Sequence, residues 1–234
     1  MSPAASRIII DGATIATVDA AGTEHPFGHV VIDDATIVAV GAGKPPAWAL
    51  AGQSPSGGRI DPLPRLELVD GTGHLVTPGL INTHHHLYQW LTRGWAQDAI
   101  LFDWLVALYP AWSLIDADLV EAGAEAAIAV LARSGCTTVA DHHYVFPAGS
   151  GDILGGIVAA AGRVGVRLHA TRGSMDLGRS QGGTSPGLRC GDHSTRPAGQ
   201  RRCRRAVPRP VPRIICAGRP RPVLTLFGHA GTAE

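Results

Sequence analysis

Three consecutive histidines, His84–His86, are the residues of this 234-residue chain whose type and spacing best suit chemistry. They end the stretch HLVTPGLINTHHH, which we predict to be a buried strand. Successive side chains of a strand point to opposite faces, so His84 and His86 share one face. Two imidazoles side by side suit a divalent metal, zinc first. A His-x-His pair alone is also a common surface accident, but its place at a strand end favours metal binding.

The other histidines are given structural roles. His142 and His143 end a later strand, where they could line the mouth of a barrel, and His169 lies within the next strand. Motifs of other metal hydrolases, HExxH and H-x-E…PCxxC, do not occur in the sequence. The metal prediction therefore depends on the His84/His86 pair.

The elements that must position this pair alternate between strands and helices. Short β-branched strands are predicted over 6–42, before a Gly/Pro/Ser loop at 43–64. An apolar helix should end near Pro110, and an alanine-rich helix should begin after Asp116 as N-cap and stop at Gly135. CTTVADHH and VRLHATRG are strand-like and are separated by the helical stretch GDILGGIVAAAGRVG. This alternation predicts βαβ units and a parallel sheet.

Several stretches resemble a known family. They are VTPGLINTHHHLYQWLTRG, LFDWLVALYPAW, SGCTTVADHHYVFP and RLHATRGSMDLGRSQGG. They resemble the amidohydrolase superfamily, in the branch of metal-dependent aminohydrolases and chlorohydrolases acting on purines and triazines, and are most similar to deaminases of 8-oxoguanine. The resemblance covers residues 6 to about 185. It implies an α/β fold, the N-terminal part of a (β/α)8 TIM barrel with half of a small β-sandwich domain.

The resemblance also implies roles for particular residues. His84 and His86 are the first two ligands of Zn²⁺, or of another divalent metal such as Fe²⁺. Gln89 is placed to read the purine edge, and Arg172 to bind the substrate carbonyls. The alternatives are an ordinary polar residue at a helix start for Gln89 and a strand-end salt bridge for Arg172. The implied reaction is hydrolysis of a non-peptide C–N bond by metal-bound hydroxide, which converts 8-oxoguanine to urate.

The composition of the chain changes near Pro186. Residues 187–234 hold 10 of the 20 basic residues but two of the 19 acidic ones, with many prolines, so we predict a disordered tail. Suitable codons for residues 221–234, read one base later, give APCSPFSVTPELL, which resembles the family. We therefore expect an out-of-frame tail that begins near residues 185–186.

A tail of this kind leaves the fold incomplete. A barrel takes ~250 residues, and the predicted in-frame part has room for about three βα units. The resemblance implies later histidines, a Glu or His proton shuttle and a terminal Asp, none of which this chain supplies. We expect no catalytic residue and no activity in this truncated chain. The predicted segments are 1–76, half of a β-sandwich; 77–186, three barrel units; and 187–234, the tail.

Other functions stay open. A guanine deaminase or a triazine aminohydrolase or chlorohydrolase is the alternative enzyme, and a pseudogene product or an Arg-rich-tail nucleic-acid binder is the non-enzyme alternative. We expect a small purine or triazine as partner, no nucleic acid because the tail lacks interleaved aromatic residues, and no membrane because no apolar run approaches ~18 residues. The N-terminus lacks signal-peptide features, so a cytoplasmic location is predicted. A homo-oligomer is left open for the intact enzyme.

Overall fold

A computed structural model describes residues 6–60 and 64–173, together with the backbone of 214–215 and 224–228. The chain divides into two compact units, Met1–Leu80 with Arg219–Glu234, and Ile81–Gly218. The first division falls after Leu80, slightly later than the border predicted at residue 76. Among the described residues, no helix combines the length and apolar character needed to cross a membrane.

The described elements alternate as the sequence suggests. A 3₁₀ helix, Leu87–Thr92, follows the sixth strand. The elements in chain order are β1 (Ser6–Ala16), β2 (Glu24–Asp33), β3 (Thr36–Ala42), α1 (Ala47–Leu50), β4 (Arg65–Asp70), β5 (His74–Pro78), β6 (Leu80–His85), α2 (Leu101–Trp112), α3 (Ala117–Arg133), β7 (Cys136–His143), α4 (Ile153–Val164), β8 (Arg167–Arg172), β9 (Ile214–Ile215) and β10 (Leu224–Gly228).

The first unit contains a six-stranded sheet in the order β10-β5-β1-β2-β3, with β4 also paired to β1. The predicted strands over 6–42 are confirmed, and β1–β2 and β2–β3 are antiparallel pairs. β4 and β5 run parallel to β1. Alternate β-branched residues such as Ile10 and Val30 are buried on one face, as the period of two requires.

A buried ion pair lies at the start of this sheet. The Arg7 side chain is fully buried, and its Nε and Nη2 donate to the two carboxylate oxygens of Asp33 at 2.6 and 2.7 Å. Its Nη1 donates to the carbonyl oxygens of Ala49 and Gln53 at 3.0 and 2.8 Å. The guanidinium is therefore fully engaged, as a buried charge must be.

The second unit contains a four-stranded sheet in the order β6-β7-β8-β9. β7 and β8 are parallel, with His143 opposite Arg172, and α4 connects them. The predicted βαβ unit is therefore confirmed. The core of this unit joins α2, α3, α4 and the two parallel strands through residues such as Trp112, Ile128, Val139 and Ile157.

The helix ends agree only in part with the sequence. The Asp116 side chain caps α3 by accepting from the Leu119 N–H at 2.8 Å, and Gly135 follows the helix with φ of 89°. Both expectations are confirmed. α2 ends at Trp112, two residues after the predicted end near Pro110. Pro110 removes only its own N–H bond there, while burial of Trp112 stabilises the last turn.

The predicted buried strand before the histidines is corrected in two respects. It is divided at Gly79 into β5 and β6, which belong to different sheets. β6 is an edge strand, and Leu80 and Ile81 are 47% and 67% exposed. An edge strand pairs on one side only, and the described residues leave these two side chains accessible.

The tail prediction falls mostly on residues outside the described ones, as does the expected change near Pro186. The described parts of 187–234 are β9, antiparallel to β8, and β10, antiparallel to β5. These two strands are a difference from the prediction of a wholly disordered tail. The out-of-frame origin of the tail stays a prediction.

Candidate metal centre

His84 lies near the C-terminal end of β6 and His86 directly after it, with adjacent rings. The ring centroids are 5.0 Å apart, and the rings meet edge to face at 88°. His86 is also the residue that precedes the 3₁₀ helix, so the second imidazole lies where the chain leaves the strand. This geometry brings the two predicted ligands together, and their binding of a metal stays a prediction.

The neighbouring strand β7 fixes the His86 ring. The His86 Nδ1–H donates to the carbonyl oxygen of His142 at 2.6 Å. A carbonyl oxygen only accepts, so Nδ1 carries the proton and Nε2 keeps its lone pair. A metal-binding histidine is commonly oriented in this way, with one ring nitrogen hydrogen-bonded and the other left for the metal. His86 therefore fits a divalent ion.

Burial also favours the neutral form of this imidazole. Removal from water lowers the pKa of His86, and the hydrogen bond to the His142 carbonyl opposes that effect only in part. Burial likewise lowers the pKa of the neighbouring His85. A neutral ring is the form that a metal binds, so His86 needs little proton loss on binding near neutral pH.

The His142 ring joins this cluster, in agreement with a place at the barrel mouth, although a structural role is predicted for it from the sequence. Its centroid lies 5.1 Å from that of His84, in a stacked arrangement, and 6.0 Å from that of His86. Tyr144 packs edge to face on His86 at 5.3 Å. The polar end of CTTVADHHY was a signal for this site, because the C-terminal ends of neighbouring parallel strands meet at one edge.

Two further β7 side chains are completely buried. Asp141 accepts the Leu87 N–H at 2.7 Å through Oδ1, and burial raises the pKa of this carboxyl to about 7, against the lowering effect of that bond. His143 donates from Nε2 to the Val145 carbonyl oxygen at 2.6 Å, and burial lowers the pKa of His143 to about 4. Sequence analysis gave no role to Asp141 and a structural one to His143.

Gln89 lies beside the histidine pair in the 3₁₀ helix. Its Nε2 is 3.4 Å from the Tyr88 hydroxyl and 3.5 Å from the Tyr144 hydroxyl. It also lines an open groove of about 450 Å³. The residues that line this groove are His84, His85, His86, Gln89, Trp90, Arg93, Trp104 and Val130. A planar ligand of modest size fits this volume, so Gln89 stays a predicted substrate contact.

Arg172 is not brought into this groove. Its side chain is exposed at the end of β8, and the guanidinium carbon lies 4.5 Å from the ring centroid of Phe146. The strand-end salt bridge considered as the alternative is not described either; the contact is a cation–π one. A role of Arg172 on a substrate carbonyl stays a prediction.

The ligand set in the described residues is incomplete for a catalytic metal. Within residues 6–60 and 64–173, no group of three or more His, Cys, Asp or Glu side chains is arranged to hold a metal ion. Catalytic zinc takes three protein ligands and an open position. A catalytic zinc site built on the His84/His86 pair would therefore need at least one more protein ligand.

Comparison with known proteins decides the family. A model of the amidohydrolase family matches residues 75–210, more than half of the chain. This chain belongs to the amidohydrolase family. The match contains both histidines of the pair, Gln89 and all of β7. It extends past Pro186 and so gives no boundary at the composition change.

The amidohydrolase chain is also similar to individual members of the family. It is 41% identical to 8-oxoguanine deaminase from Pseudomonas aeruginosa over 177 residues, which cover 74% of this chain and 35% of the relative. It is 33% identical to hydroxydechloroatrazine ethylaminohydrolase from Pseudomonas sp. strain ADP over 178 residues, with the same coverage. The chain thus spans about a third of the length of these relatives.

A solved structure gives the same fold. Atrazine chlorohydrolase from Arthrobacter aurescens TC1, complexed with zinc, superposes with a TM-score of 0.65 at 30% identity, covering 79% of this chain and 40% of that one. The predicted α/β fold, as the first part of an amidohydrolase TIM barrel, is thereby confirmed.

Proposed function

We propose that this chain carries the first part of the metal centre and substrate groove of an amidohydrolase that removes the exocyclic amine of 8-oxoguanine. The observation that carries the proposal is the His84/His86 pair, in which the His86 Nδ1 is bound to the His142 carbonyl and Nε2 is left with its lone pair. The 41% identity to an 8-oxoguanine deaminase supports the substrate.

The residues present divide the work between metal and substrate. His84 and His86 hold a divalent ion, zinc first, in keeping with the zinc in the similar chlorohydrolase. The ion, when bound, supplies Lewis-acid activation of water and substrate. Gln89, in the same groove, presents an amide to the edge of a flat heterocycle. The Trp90 and Trp104 rings give the groove apolar walls that exclude water from that heterocycle.

The proposal includes inactivity of the 234-residue polypeptide by itself. Two imidazoles leave a metal short of the three protein ligands that catalytic zinc uses, and the described residues offer no third.

Triazine hydrolysis is the second candidate, supported by the 33% identity to a triazine-ring aminohydrolase and by the superposition on atrazine chlorohydrolase. A small-molecule partner follows from either reading, and a cytoplasmic location stays a prediction from the sequence.

Metal titration of the recombinant chain tests the site. Zn²⁺ or Co²⁺ binding, measured by competition with a chromophoric chelator, should be lost in His84→Ala and in His86→Ala. His74→Ala is the matched control, because the His74 Nδ1 also bonds a backbone carbonyl, that of Thr72, at 2.9 Å. Equal loss in all three variants, or in none, would contradict the proposed site.

An activity panel tests the reaction. The chain should release no ammonia from 8-oxoguanine or guanine and no chloride from a chlorotriazine. Stoichiometric zinc with turnover would overturn the proposed inactivity, and the substrate turned over would decide between the purine and triazine readings.

A further inference from the structure

We propose that Asp141 is a positioning residue for the metal centre, because its buried carboxyl accepts the first N–H of the helix that follows His86 and so holds the backbone next to that imidazole. This inference deepens the proposed function. It rests on three observations: the place of His86 in the chain, the acceptor that Leu87 uses, and the two bonds that β7 makes to His86 and Leu87.

The first observation concerns the start of the 3₁₀ helix. The first N–H groups of any helix lack partners within it, and a Ser, Thr, Asp or Asn at the N-cap usually accepts from them. Here the N-cap residue is His86, which makes no side-chain cap bond. Its ring is turned away to the His142 carbonyl instead. The turn thus has a metal-binding residue where a capping residue is normally found.

The second observation is that another strand supplies the acceptor for the first N–H of this helix, which has no partner within the helix. The Leu87 N–H, in a residue with no exposed surface, donates to Asp141 Oδ1 at 2.7 Å, across 54 residues of sequence. Without this carboxyl the N–H would be buried and unpaired, which is unfavourable. Asp141 is itself fully buried, and its Oδ2 has no hydrogen-bond partner in the described part of the chain. Burial of a carboxyl with only one hydrogen-bonded oxygen is energetically unfavourable, so the position of Asp141 calls for an explanation.

The third observation is that two successive residues of β7 hold successive residues of the turn. The Asp141 side chain holds the Leu87 N–H, and the His142 carbonyl holds the His86 Nδ1. The first bond fixes the backbone on which the imidazole stands, and the second fixes the tautomer and ring direction. Removal of the bond between Asp141 and the Leu87 N–H releases the backbone at this position. The 2.6 Å bond from the His86 Nδ1 to the His142 carbonyl is then no longer maintained, and both tautomers of His86 become populated.

Four variants separate positioning from simple stability. Asp141→Leu keeps the branched shape of the side chain and removes the acceptor. Asp141→Ala also removes the acceptor but adds no new contacts. Asp141→Asn keeps an acceptor oxygen. The control is Asp152→Ala, which removes the same kind of bond, a carboxylate oxygen to the Gly155 N–H at 2.9 Å, at the N-cap of α4.

The decisive readout needs no metal. Ring ¹⁵N NMR of the metal-free full chain should show a single Nδ1–H tautomer for His86 in the wild type, Asp141→Asn and Asp152→Ala. Asp141→Leu and Asp141→Ala should show averaged ring shifts. With Co²⁺ added, the dissociation constants of the Leu and Ala variants should rise about 10–100-fold, the usual effect of losing an outer partner of a metal ligand. The Asn variant should stay close to the wild type.

The outcomes distinguish the two proposals. If the wild type binds no Co²⁺ but the tautomer changes as expected, the metal site fails and the positioning role stands. If Asp141→Leu and Asp141→Ala keep the wild-type tautomer, the positioning role is refuted. It is also refuted if Asp141→Asn, folded as judged by thermal unfolding, loses the tautomer, because the acceptor oxygen is retained. Should the Leu and Ala variants not fold, the comparison of Asn with the wild type decides.

Discussion

The packing of α4 on α3 allows a prediction from two glycines of one helix. A Cβ built on Gly156 would lie 3.0 Å from the Ala117 carbonyl oxygen and 3.2 Å from the Glu121 Cβ. A Cβ built on Gly162 meets no described atom within 4 Å. Replacement by alanine gains about 1 kcal/mol of helix propensity at either place. At Gly156 overpacking against α3 costs about 1–3 kcal/mol in addition.

The two variants should therefore differ in stability, with Gly156→Ala the less stable. Gly162→Ala should raise the free energy of unfolding by about 1 kcal/mol, which is a rise in Tm of about 2–4 °C for a chain of this size. The free energy of unfolding of Gly156→Ala should be about 1–3 kcal/mol lower than that of Gly162→Ala. Urea unfolding followed by circular dichroism measures both free energies, and the two variants must show equal slopes of free energy against urea concentration. If Gly156→Ala stabilises the chain as much as Gly162→Ala, the close approach of the two helices is wrong.

Further predictions concern buried charges and a helix cap. Asp33→Ala should lower the free energy of unfolding by about 1–3 kcal/mol, since the buried Arg7 guanidinium loses its charged partner and keeps its two carbonyl acceptors; an unchanged free energy in urea unfolding would contradict the pair. Because burial lowers the pKa of His143 to about 4, the unfolded chain takes up a proton near pH 6.5 before the folded chain does. The stability that this neutral ring contributes is thus present above pH 6.5, and up to about 3 kcal/mol is lost as pH falls to 4. The raised pKa of Asp141 changes stability with pH in the opposite direction. The free energy of unfolding of His143→Gln must therefore be compared with that of the wild type across pH. A difference between the two that does not vary with pH would refute the lowered pKa of His143. Asp116→Ala should cost about 1 kcal/mol in thermal unfolding, and no loss would mean that its bond at α3 is not a cap.

The sequence predicts best those features that are local in the chain. Period-two β-branched residues place β1 and β2, and the side chain of Asp116 with the flexibility of Gly135 places both ends of α3. The His84/His86 spacing alone is enough to put two rings together, because alternation along a strand is a property of the backbone. Each of these depends on a window of a few residues, and that is why it can be read without the fold.

The features that the sequence does not predict depend on partners far along the chain. The edge position of β6 follows from its pairing with β7 alone, which no pattern within β6 reveals. The continuation of α2 past Pro110 depends on burial of Trp112 against residues from other elements. The acceptor for the Leu87 N–H lies 54 residues away. An Asp at the end of a strand has many possible uses, and only the fold selects one.

These long-range partners explain how an edge strand can present two imidazoles in a defined geometry. Among the described residues β6 pairs on one side only and its side chains are largely exposed, so its own contacts do little to hold a side chain within the tolerance that a metal needs. The restraint comes from β7, whose buried strand end makes both the backbone bond and the ring bond. The two predicted ligands therefore lie on the less constrained strand or directly after it, and β7 restrains the ring of His86. Ligand replacement should abolish binding, whereas changes in β7 should weaken it gradually through the orientation of His86.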